Sequence, residues 1–423
     1  MAKDFTSYKL DNGMEIILVP RKESPATTVM VAVKVGSKYE TKEISGLSHF
    51  LEHMTFKGTE KRPGASTIAT ELDGLGASYN AFTGQERTAY YAKVQNKHFD
   101  KVFNIVSDLY LNSTLPADEM EKERGVIIEE INMYEDMPMR KVSDDFLKVL
   151  YGDQPAGWSI AGRKEVIKNI ERENFVQYRN KHYKPSNTIL AIAGGYDDKN
   201  LKKSIKKIFG KAKKDSTPKL PRVKENQEKP NEFVRYKDSD QAHLILGFRA
   251  FDTHDERKFA LWVLSNILGG NMSSRLFKKI RDDMGAAYYI HSNTSLDTNC
   301  GVIQAKAGVS TDKTEKVIKA ILNEFRKIKE EAVGAKELDK AKRNIIGNMY
   351  LGLETSNRLA GFYINQRVKN LDLTSPDALA ERINNVTPDD VQSVAKDLFH
   401  NSKLNLAVIG PFKNKSFLDI LKI

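Results

Sequence analysis

The feature that most constrains this chain is the pentad His49-Phe50-Leu51-Glu52-His53. On a helix, positions three and four apart lie on one face, so both imidazoles can point toward one site with Glu52 beside them. Two neutral imidazoles at this spacing suit Zn²⁺, and a neighbouring carboxylate can take a proton from a metal-bound water. Because a five-residue match is only moderately specific, a helix with two hydrogen-bonded structural histidines remains the alternative.

A third ligand is needed, since catalytic zinc usually has three protein ligands and one open position. The segment from Pro116 to about Met137 is predicted to be a long helix, because proline begins it and acidic residues fill its first turn. The residues predicted to mark its buried face are Ile127, Ile131 and Tyr134, with Val126 at the edge of that face. The glutamates of this segment are Glu119, Glu121, Glu123, Glu129, Glu130 and Glu135.

Helical phase selects among these glutamates. Glu123 and Glu130 are two turns apart and lie along the predicted buried face, whereas Glu129 lies on the polar side. A carboxylate on an inward face is costly unless it is paired or bound to a metal. We therefore predict Glu130 as the third ligand and Glu123 as a carboxylate that orients a histidine or a neighbouring group. A surface charge on a differently phased helix is the alternative for Glu130.

Composition and charge are those of a large globular protein. The chain has 423 residues, 40% hydrophobic and 29% charged, which predicts about two to four domains. Its net charge is +11, which is compatible with binding of acidic peptides, with binding of a nucleic acid, or with a charged surface that keeps the protein in solution. The lysines are scattered and are not interleaved with aromatic side chains, so we predict no nucleic-acid partner. The densest group is Lys202, Lys203, Lys206, Lys207, Lys211, Lys213 and Lys214.

The single cysteine and the apolar runs bear on location. Cys300 cannot form an intramolecular disulfide or a cysteine-based zinc site, and we expect a buried, inert thiol. The N-terminal residues show no apolar signal region, and no stretch approaches 18 apolar residues. We therefore predict a cytoplasmic protein without a membrane span.

The N-terminal half alternates strand and helix patterns. An Asn12-Gly13 turn between apolar runs predicts a hairpin at residues 7–20, and a continuous β-branched run predicts a central strand at 27–35. Residues 78–94 are predicted to form two strands joined near Gly84, and residues 97–112 an amphipathic helix. Strands and hairpins mixed with helices favour the α+β class.

A repeat indicates that the chain is duplicated. Residues 174–198 and 389–413 each show a helix, a short polar turn, an apolar strand and a glycine, and the glycines Gly194 and Gly410 are 216 positions apart. This period is too long for a solenoid. We therefore predict two homologous domains, 1–210 and 232–423, each a largely antiparallel sheet packed with helices. The polar, proline-bearing residues 211–231 are predicted to be the linker.

These features together resemble those of a known protein family. The pattern H-x-x-E-H is an inverzincin signature, 76 residues separate His53 from Glu130, and Glu130 lies in the run Glu-Arg-Gly-Val-Ile-Ile-Glu-Glu-Ile. With the duplication, nearly the whole chain resembles the pitrilysin/insulysin zinc peptidases of family M16, in the short subfamily related to mitochondrial processing peptidase. The resemblance implies that His49, His53 and Glu130 ligate one Zn²⁺ per chain. It also implies that Glu52 is the general base and that Glu123 supports the site.

The resemblance also points to substrate-binding residues. The run from Ser78 to Thr83 resembles the family's exposed edge strand, to which a peptide adds as a further strand, with Asn80, Ala81 and Phe82 in contact with it. An ordinary strand is the alternative. In the C-terminal half, Arg281 and Tyr288 have the spacing of an arginine and a tyrosine that reach the family's site from a distant domain. The alternative is a surface charge and a tyrosine packed under a helix.

Finally, the resemblance implies an architecture and a function. Long members of the family enclose their substrate in a chamber of two such halves, so a chain of this length implies that two chains pair. A homodimer is expected, with a heterodimer as the alternative, and Arg281 and Tyr288 would serve the zinc site of the other chain. The implied function is a zinc metalloendopeptidase acting on peptides or unfolded polypeptide. The competing interpretation is a non-catalytic binding or scaffold subunit.

Overall fold

The structure, a computed structural model, describes residues 5–197, 199–212, 215–216 and 218–423. Parts of the predicted N-terminal domain (1–4 and 198) and of the predicted linker (213, 214 and 217) lie outside the described residues. Within the described part, no helix is long and apolar enough to pass through a bilayer.

Strands and helices alternate along both halves of the chain. The strands are β1 (Thr6–Lys9), β2 (Glu15–Pro20), β3 (Ala26–Val33), β4 (Ser78–Thr83), β5 (Thr88–Gln95), β6 (Thr188–Gly194), β7 (Asn231–Tyr236), β8 (Gln241–Ala250), β9 (Ala287–Leu296), β10 (Gly301–Ser310) and β11 (Leu404–Gly410). The α-helices are α1 (Leu47–Thr55), α2 (Ala65–Gly74), α3 (Phe99–Asn112), α4 (Ala117–Asp136), α5 (Pro138–Tyr151), α6 (Lys164–Asn169), α7 (Arg172–His182), α8 (Leu201–Phe209), α9 (Lys258–Gly269), α10 (Thr314–Glu330), α11 (Ala335–Gly352), α12 (Ser356–Val368), α13 (Pro376–Asn384) and α14 (Pro388–Leu398).

The sequence-based predictions for the N-terminal half are confirmed. The hairpin is β1 and β2, the central strand is β3, and the paired strands are β4 and β5. The predicted helices correspond to α1, α3 and α4. Both members of the repeat are also confirmed, as α7 followed by β6 and α14 followed by β11.

The two sheets have the same topology, apart from the additional strand β1 at one edge of the first sheet. Among the described residues, the first sheet has the order β1-β2-β6-β3-β5-β4 and the second the order β7-β11-β8-β10-β9. In each sheet one pair is parallel, β2 with β6 and β7 with β11, and the other pairs are antiparallel. The α+β class and the duplication are therefore confirmed, and β4 and β9 are equivalent edge strands.

The described chain divides into two compact units, and each unit contains segments from both halves of the sequence. Unit 1 comprises Met1–Asn132, Trp158–Pro221 and Leu351–Ser375. Unit 2 comprises Met133–Gly157, Arg222–Tyr350 and Pro376–Ile423. The contiguous domain boundaries at 210 and 232 stay a prediction.

In each unit, one face of the sheet packs against a helix from the other half of the sequence. In unit 1, α12 packs on β3 and β6, with Leu359 and Tyr363 in one buried cluster with Met30. A buried hydrogen bond of 2.8 Å joins the hydroxyls of Thr28 and Ser356. In unit 2, α5 packs on β8 and β11, and its buried cluster is built around Phe146.

We predict that the α12 segment stabilises unit 1. Leu359 is 2% exposed, so Leu359→Ala should lower the free energy of unfolding by about 2–5 kcal/mol through lost contacts and a cavity. Urea denaturation followed by Trp158 fluorescence in a Trp262→Phe background reports unit 1, because Trp262 lies in unit 2. The exposed neighbour Arg358 provides the control, Arg358→Ala, which should leave the midpoint nearly unchanged. Equal midpoints for the two variants would contradict the packing of α12 on this sheet.

Candidate metal centre

The pentad lies on α1, and a buried carboxylate fixes the start of this helix. Gly46 precedes the helix with φ of 96°, a conformation that favours glycine. Glu40 accepts hydrogen bonds from the backbone N–H groups of Gly46 and Ser48, each at 2.7 Å. Negative charge at a helix N-terminus is favourable. Burial nevertheless raises the pKa of Glu40 to about 7, and the two backbone hydrogen bonds limit that rise.

The buried face of α1 contains Leu47, Phe50, Leu51 and Met54, and this leaves the pentad's polar side chains on the opposite, half-buried side. Nε2 of His49 and Nε2 of His53 lie 3.6 and 3.7 Å from the same carboxylate oxygen of Glu130 on α4. One ligand atom from each of the three residues lies within 4.8 Å of the others. With ligands about 2 Å from a tetrahedral zinc, separations of this size are expected, so the three residues fit a zinc ion.

The two imidazoles are oriented differently. Nδ1 of His53 lies 2.7 Å from Glu123, whose other carboxylate oxygen lies 2.5 Å from the ammonium of Lys57. A carboxylate on the far nitrogen of a histidine fixes the tautomer that leaves Nε2 free for a metal. The ring of His49 instead packs edge-on against His53, with centroids 4.7 Å apart, and its Nδ1 is buried without a hydrogen-bond partner among the described residues.

Burial and charge shift the pKa values of these groups in opposite directions. Burial, with the nearby His53, lowers the pKa of His49 to about 4, so this imidazole is neutral at neutral pH. Burial also opposes the charging of His53, but the hydrogen bond and charge of Glu123 outweigh it and raise the pKa of His53. Proton and metal therefore compete more strongly for His53 than for His49. For Glu123, burial is outweighed by His53 and Lys57, and its pKa is lowered.

Glu52 lies on the same side of α1 as the two histidines. Burial raises the pKa of Glu52, while a hydrogen bond from the Thr83 hydroxyl, 2.5 Å from one carboxylate oxygen, opposes that rise. A carboxylate with a raised pKa is better matched to proton transfer near neutral pH. A cavity of about 270 Å³ adjoins this carboxylate and is lined by Phe56, Tyr79 and Asn80 among others.

A larger cleft of about 920 Å³ lies in unit 2, between the end of α5 and residues 222–231. The described residues that line it include no histidine or cysteine. It therefore lacks the combination of metal ligands and carboxylate base that distinguishes the smaller cavity, and we assign it no role.

The predicted substrate residues lie on the exposed edge of the first sheet. In β4, Asn80 and Phe82 pair with Tyr91 and Ala89 of β5, and the opposite edge of β4 has no partner strand among the described residues. The amide oxygen of Asn80 accepts a hydrogen bond of 2.8 Å from the N–H of Ala81. The edge strand is therefore present as predicted, and the substrate roles of these residues stay a prediction.

Arg281 and Tyr288 belong to unit 2. Arg281 lies in a π-helical segment, Phe277–Asp283, with its guanidinium 4.9 Å from the ring centre of Phe277. Tyr288 lies near the start of β9 and is 75% exposed, so it is not packed under a helix. Both side chains are available to a ligand, and their part in the site stays a prediction.

Helix α4 presents Glu130 inward, and two details of the predicted phase are wrong. Ile127 and Ile131 are buried and Glu129 is exposed, as expected, but Tyr134 is only half-buried, and Val126 is 52% exposed rather than at the edge of the buried face. The helix therefore turns Val126 to solvent.

Sequence analysis missed three residues of the site: Glu40, Lys57 and Thr83. Lys57 lies four positions beyond His53, but α1 ends at Thr55, so helical spacing gave no signal for it. Thr83 is the last residue of β4. The alternation of side chains along a strand predicts which face of the sheet each one occupies, but it does not predict which helix packs against that face. Glu40 lies in a short irregular segment, where no periodic pattern applies.

Comparisons with known proteins identify the family of this chain. Residues 16–164 match the family model described as insulinase (peptidase family M16), and residues 169–345 match the one described as peptidase M16 inactive domain. The chain belongs to peptidase family M16. Its relatives include proteins named uncharacterized zinc protease from Bacillus subtilis, 34% identical over 96% of this chain and 98% of the relative, and from Rickettsia felis, 33% identical over 99% and 100%. Both relatives are thus named as zinc proteases.

Solved structures have the same fold. A protease from Helicobacter pylori is similar with a TM-score of 0.90 and 25% identity, over 96% of this chain and 99% of that chain. A putative M16-like peptidase from Alicyclobacillus acidocaldarius is similar in fold, with a TM-score of 0.85 and 20% identity over 97% and 98%.

We predict that Glu130 contributes to metal affinity and that its neighbour Glu129 does not. Glu130→Gln removes a charged ligand and should weaken Zn²⁺ binding by at least about 100-fold, since each ligand contributes several kcal/mol. Glu129→Gln removes the same charge from the exposed side of α4 and should bind Zn²⁺ as the wild type does. Competition with a chromophoric chelator measures both affinities, and equal losses in the two variants would exclude Glu130 as a specific ligand.

Proposed function

We propose that this protein is a zinc metalloendopeptidase with one Zn²⁺ per chain, acting on peptides or unfolded polypeptide segments. The observation that carries the proposal is the arrangement in unit 1, where His49, His53 and Glu130 surround one point and Glu52 lies beside them. The single cysteine, Cys300, is buried and has no second cysteine in the chain with which to form a disulfide, in keeping with a reducing, cytoplasmic location.

The proposed mechanism assigns proton transfer to Glu52. A zinc ion, when bound, supplies Lewis-acid activation of water and of the scissile carbonyl. Glu52 takes the proton of the attacking water and then delivers it to the leaving amine, a role that its raised pKa favours. Glu123 keeps the imidazole of His53 in the orientation that ligation requires.

The proposed substrate is an extended peptide that adds to β4. This strand is an edge of the first sheet, so its outward N–H and C=O groups are available for pairing with another strand. Asn80 and Ala81 would hold the scissile peptide and Phe82 would contact a neighbouring side chain. Because edge pairing uses the backbone, it favours unfolded segments over folded proteins.

We further propose that two chains pair and that Arg281 and Tyr288 complete the site of the other chain. A guanidinium and a phenol can donate hydrogen bonds to the substrate carbonyl oxygen, where negative charge develops. Tyr288 is 75% exposed, so its hydroxyl is accessible to a substrate bound to another chain. A homodimer has two equivalent sites of this kind, and a heterodimer with a different subunit is the alternative.

The second candidate function is a non-catalytic binding subunit. The match of residues 169–345 to a model described as an inactive domain favours it in part. The three ligands and the carboxylate lie in the other half of the chain, which is why we prefer a peptidase. A protein that binds Zn²⁺ and peptide but cleaves no member of a peptide library would be this second candidate.

We predict that Glu52→Gln keeps Zn²⁺ and peptide binding but lowers kcat by about 10³-fold or more, because the variant lacks the proton acceptor. The assay is digestion of a peptide library with and without chelator, with zinc content measured on the same samples. Glu60→Gln, an exposed change on the segment after α1, is the matched control and should cleave normally. Residual cleavage near the wild-type rate would remove Glu52 from its role.

We also predict complementation between two inactive variants. If Tyr288 acts on the other chain, mixing Glu52→Gln with Tyr288→Phe gives mixed dimers with one intact site, and about a quarter of wild-type activity should return. Native mass spectrometry confirms that subunits have exchanged. Complete exchange without recovery would show that Tyr288 does not act in trans.

A further inference from the structure

The carboxylate of Glu52 is held by one hydroxyl that no sequence motif indicated. Oγ1 of Thr83 donates to one carboxylate oxygen of Glu52 at 2.5 Å. The nearest competing acceptor for that hydroxyl, the carbonyl oxygen of Ser48, lies 3.5 Å away. A hydrogen bond to a charged acceptor is stronger than one between neutral groups, so the hydroxyl is committed to Glu52.

We propose that Thr83 is a positioning residue for Glu52, an inference that rests on the proposed peptidase function. A glutamate side chain has several rotatable bonds and loses considerable rotamer freedom when it is fixed. With one oxygen held by Thr83, the second oxygen of Glu52 remains free to face the attacking water. Positioning of this kind lowers the cost of reaching the reactive geometry.

Thr83 is itself held in place by the turn that follows it. The carbonyl oxygen of Gly84 accepts a hydrogen bond of 3.2 Å from the N–H of Ser37, and that of Gln85 accepts one of 2.9 Å from Lys38. The ammonium of Lys38 also lies 3.2 Å from a carboxylate oxygen of Glu86, with the two side chains only 2% and 8% exposed. This buried ion pair adds a side-chain contact to the two backbone hydrogen bonds that join the turn to Ser37 and Lys38.

The same short segment also anchors the helix that carries Glu52. Residues 36–38 contact the turn after β4, and Glu40, two positions further on, accepts hydrogen bonds from Gly46 and Ser48 at the start of α1. Both ends of the contact between Thr83 and Glu52 are thus fixed to residues 36–40. Because the turn after β4 and the start of α1 both contact residues 36–40, Thr83 and Glu52 are held at hydrogen-bonding distance although they are far apart in sequence.

The position of Thr83 also links substrate binding to the proton acceptor. Asn80 and Ala81, which are proposed to hold the peptide, lie three and two residues before Thr83 on β4, respectively. A peptide that pairs with this strand is therefore placed in fixed register with the residue that orients Glu52. Thr83 is expected to act on kcat, because it sets the geometry of proton transfer and has no contact with Zn²⁺ ligands among its hydrogen bonds.

The test uses Thr83→Val, which has nearly the same shape but no hydroxyl, and Thr83→Ser, which keeps it. For a fluorogenic peptide that the wild type cleaves, Thr83→Val should lower kcat by about 10- to 100-fold with KM and Zn²⁺ content nearly unchanged. Thr83→Ser should restore kcat to within a few-fold of wild type. The matched control is Thr88→Val, because Thr88 pairs with Thr83 in the neighbouring strand but donates to the carbonyl oxygen of Val35.

Crystal structures of the same zinc-loaded variants give a readout that does not depend on activity. The Glu52 carboxylate should turn away from its wild-type position in Thr83→Val and keep it in Thr83→Ser. An unchanged Glu52 side chain in Thr83→Val, or equal losses of kcat in the valine and serine variants, overturns the proposal. If the wild type cleaves no peptide, the peptidase proposal fails, while the Glu52 conformation in the variants still decides whether Thr83 positions it.

Discussion

The candidate site depends on the buried carboxylate of Glu40 at the start of α1. This group accepts two backbone hydrogen bonds where the helix begins, and burial raises its pKa to about 7. A buried acid is costly, so its presence indicates that the rotation and entry of α1 must be fixed closely. Because His49, Glu52 and His53 all lie on this one helix, an error in its placement would displace two metal ligands and the proton acceptor together. Glu130 on α4 then has only to be placed relative to α1, whose position is already fixed.

Local pattern predicted much of the fold and the principal residues of the site. A continuous β-branched run predicted β3, and Pro116 with an acidic first turn predicted α4. The Asn12-Gly13 turn predicted the first hairpin, and the phase of Glu130 relative to Ile127 predicted the third candidate ligand. These features depend on neighbours within a few residues. The bond between Thr83 and Glu52, the pairing of Lys57 with Glu123, and the packing of α12 on the first sheet depend on which distant segments meet. No periodicity carries that information.

The duplicated half retains the architecture but not the chemistry. Strands β7, β11, β8, β10 and β9 repeat the order β2-β6-β3-β5-β4 of the first sheet. Helix α9 lies between β8 and β9 in sequence, as α1 lies between the equivalent strands β3 and β4. Yet α9 contains no histidine, cysteine or carboxylate and is apolar over most of its length. Helix α1 of the first half therefore contains polar groups that are costly to bury, whereas the equivalent helix of the second half, α9, is a conventional apolar helix. This agrees with the description of the matching family model as an inactive domain.

The exchange of α5 and α12 between the two halves has a consequence for biosynthesis. The three candidate ligands are encoded within the first third of the chain, but α12, which covers their sheet, ends at Val368 of 423 residues. A nascent chain folds from its N-terminus, so unit 1 lacks part of its core until α12 has been synthesised. The contacts between α12 and the first sheet join residues that are far apart in sequence, and contacts of this kind form slowly. The metal centre would therefore mature only after α12 has been made, long after the synthesis of its three ligands.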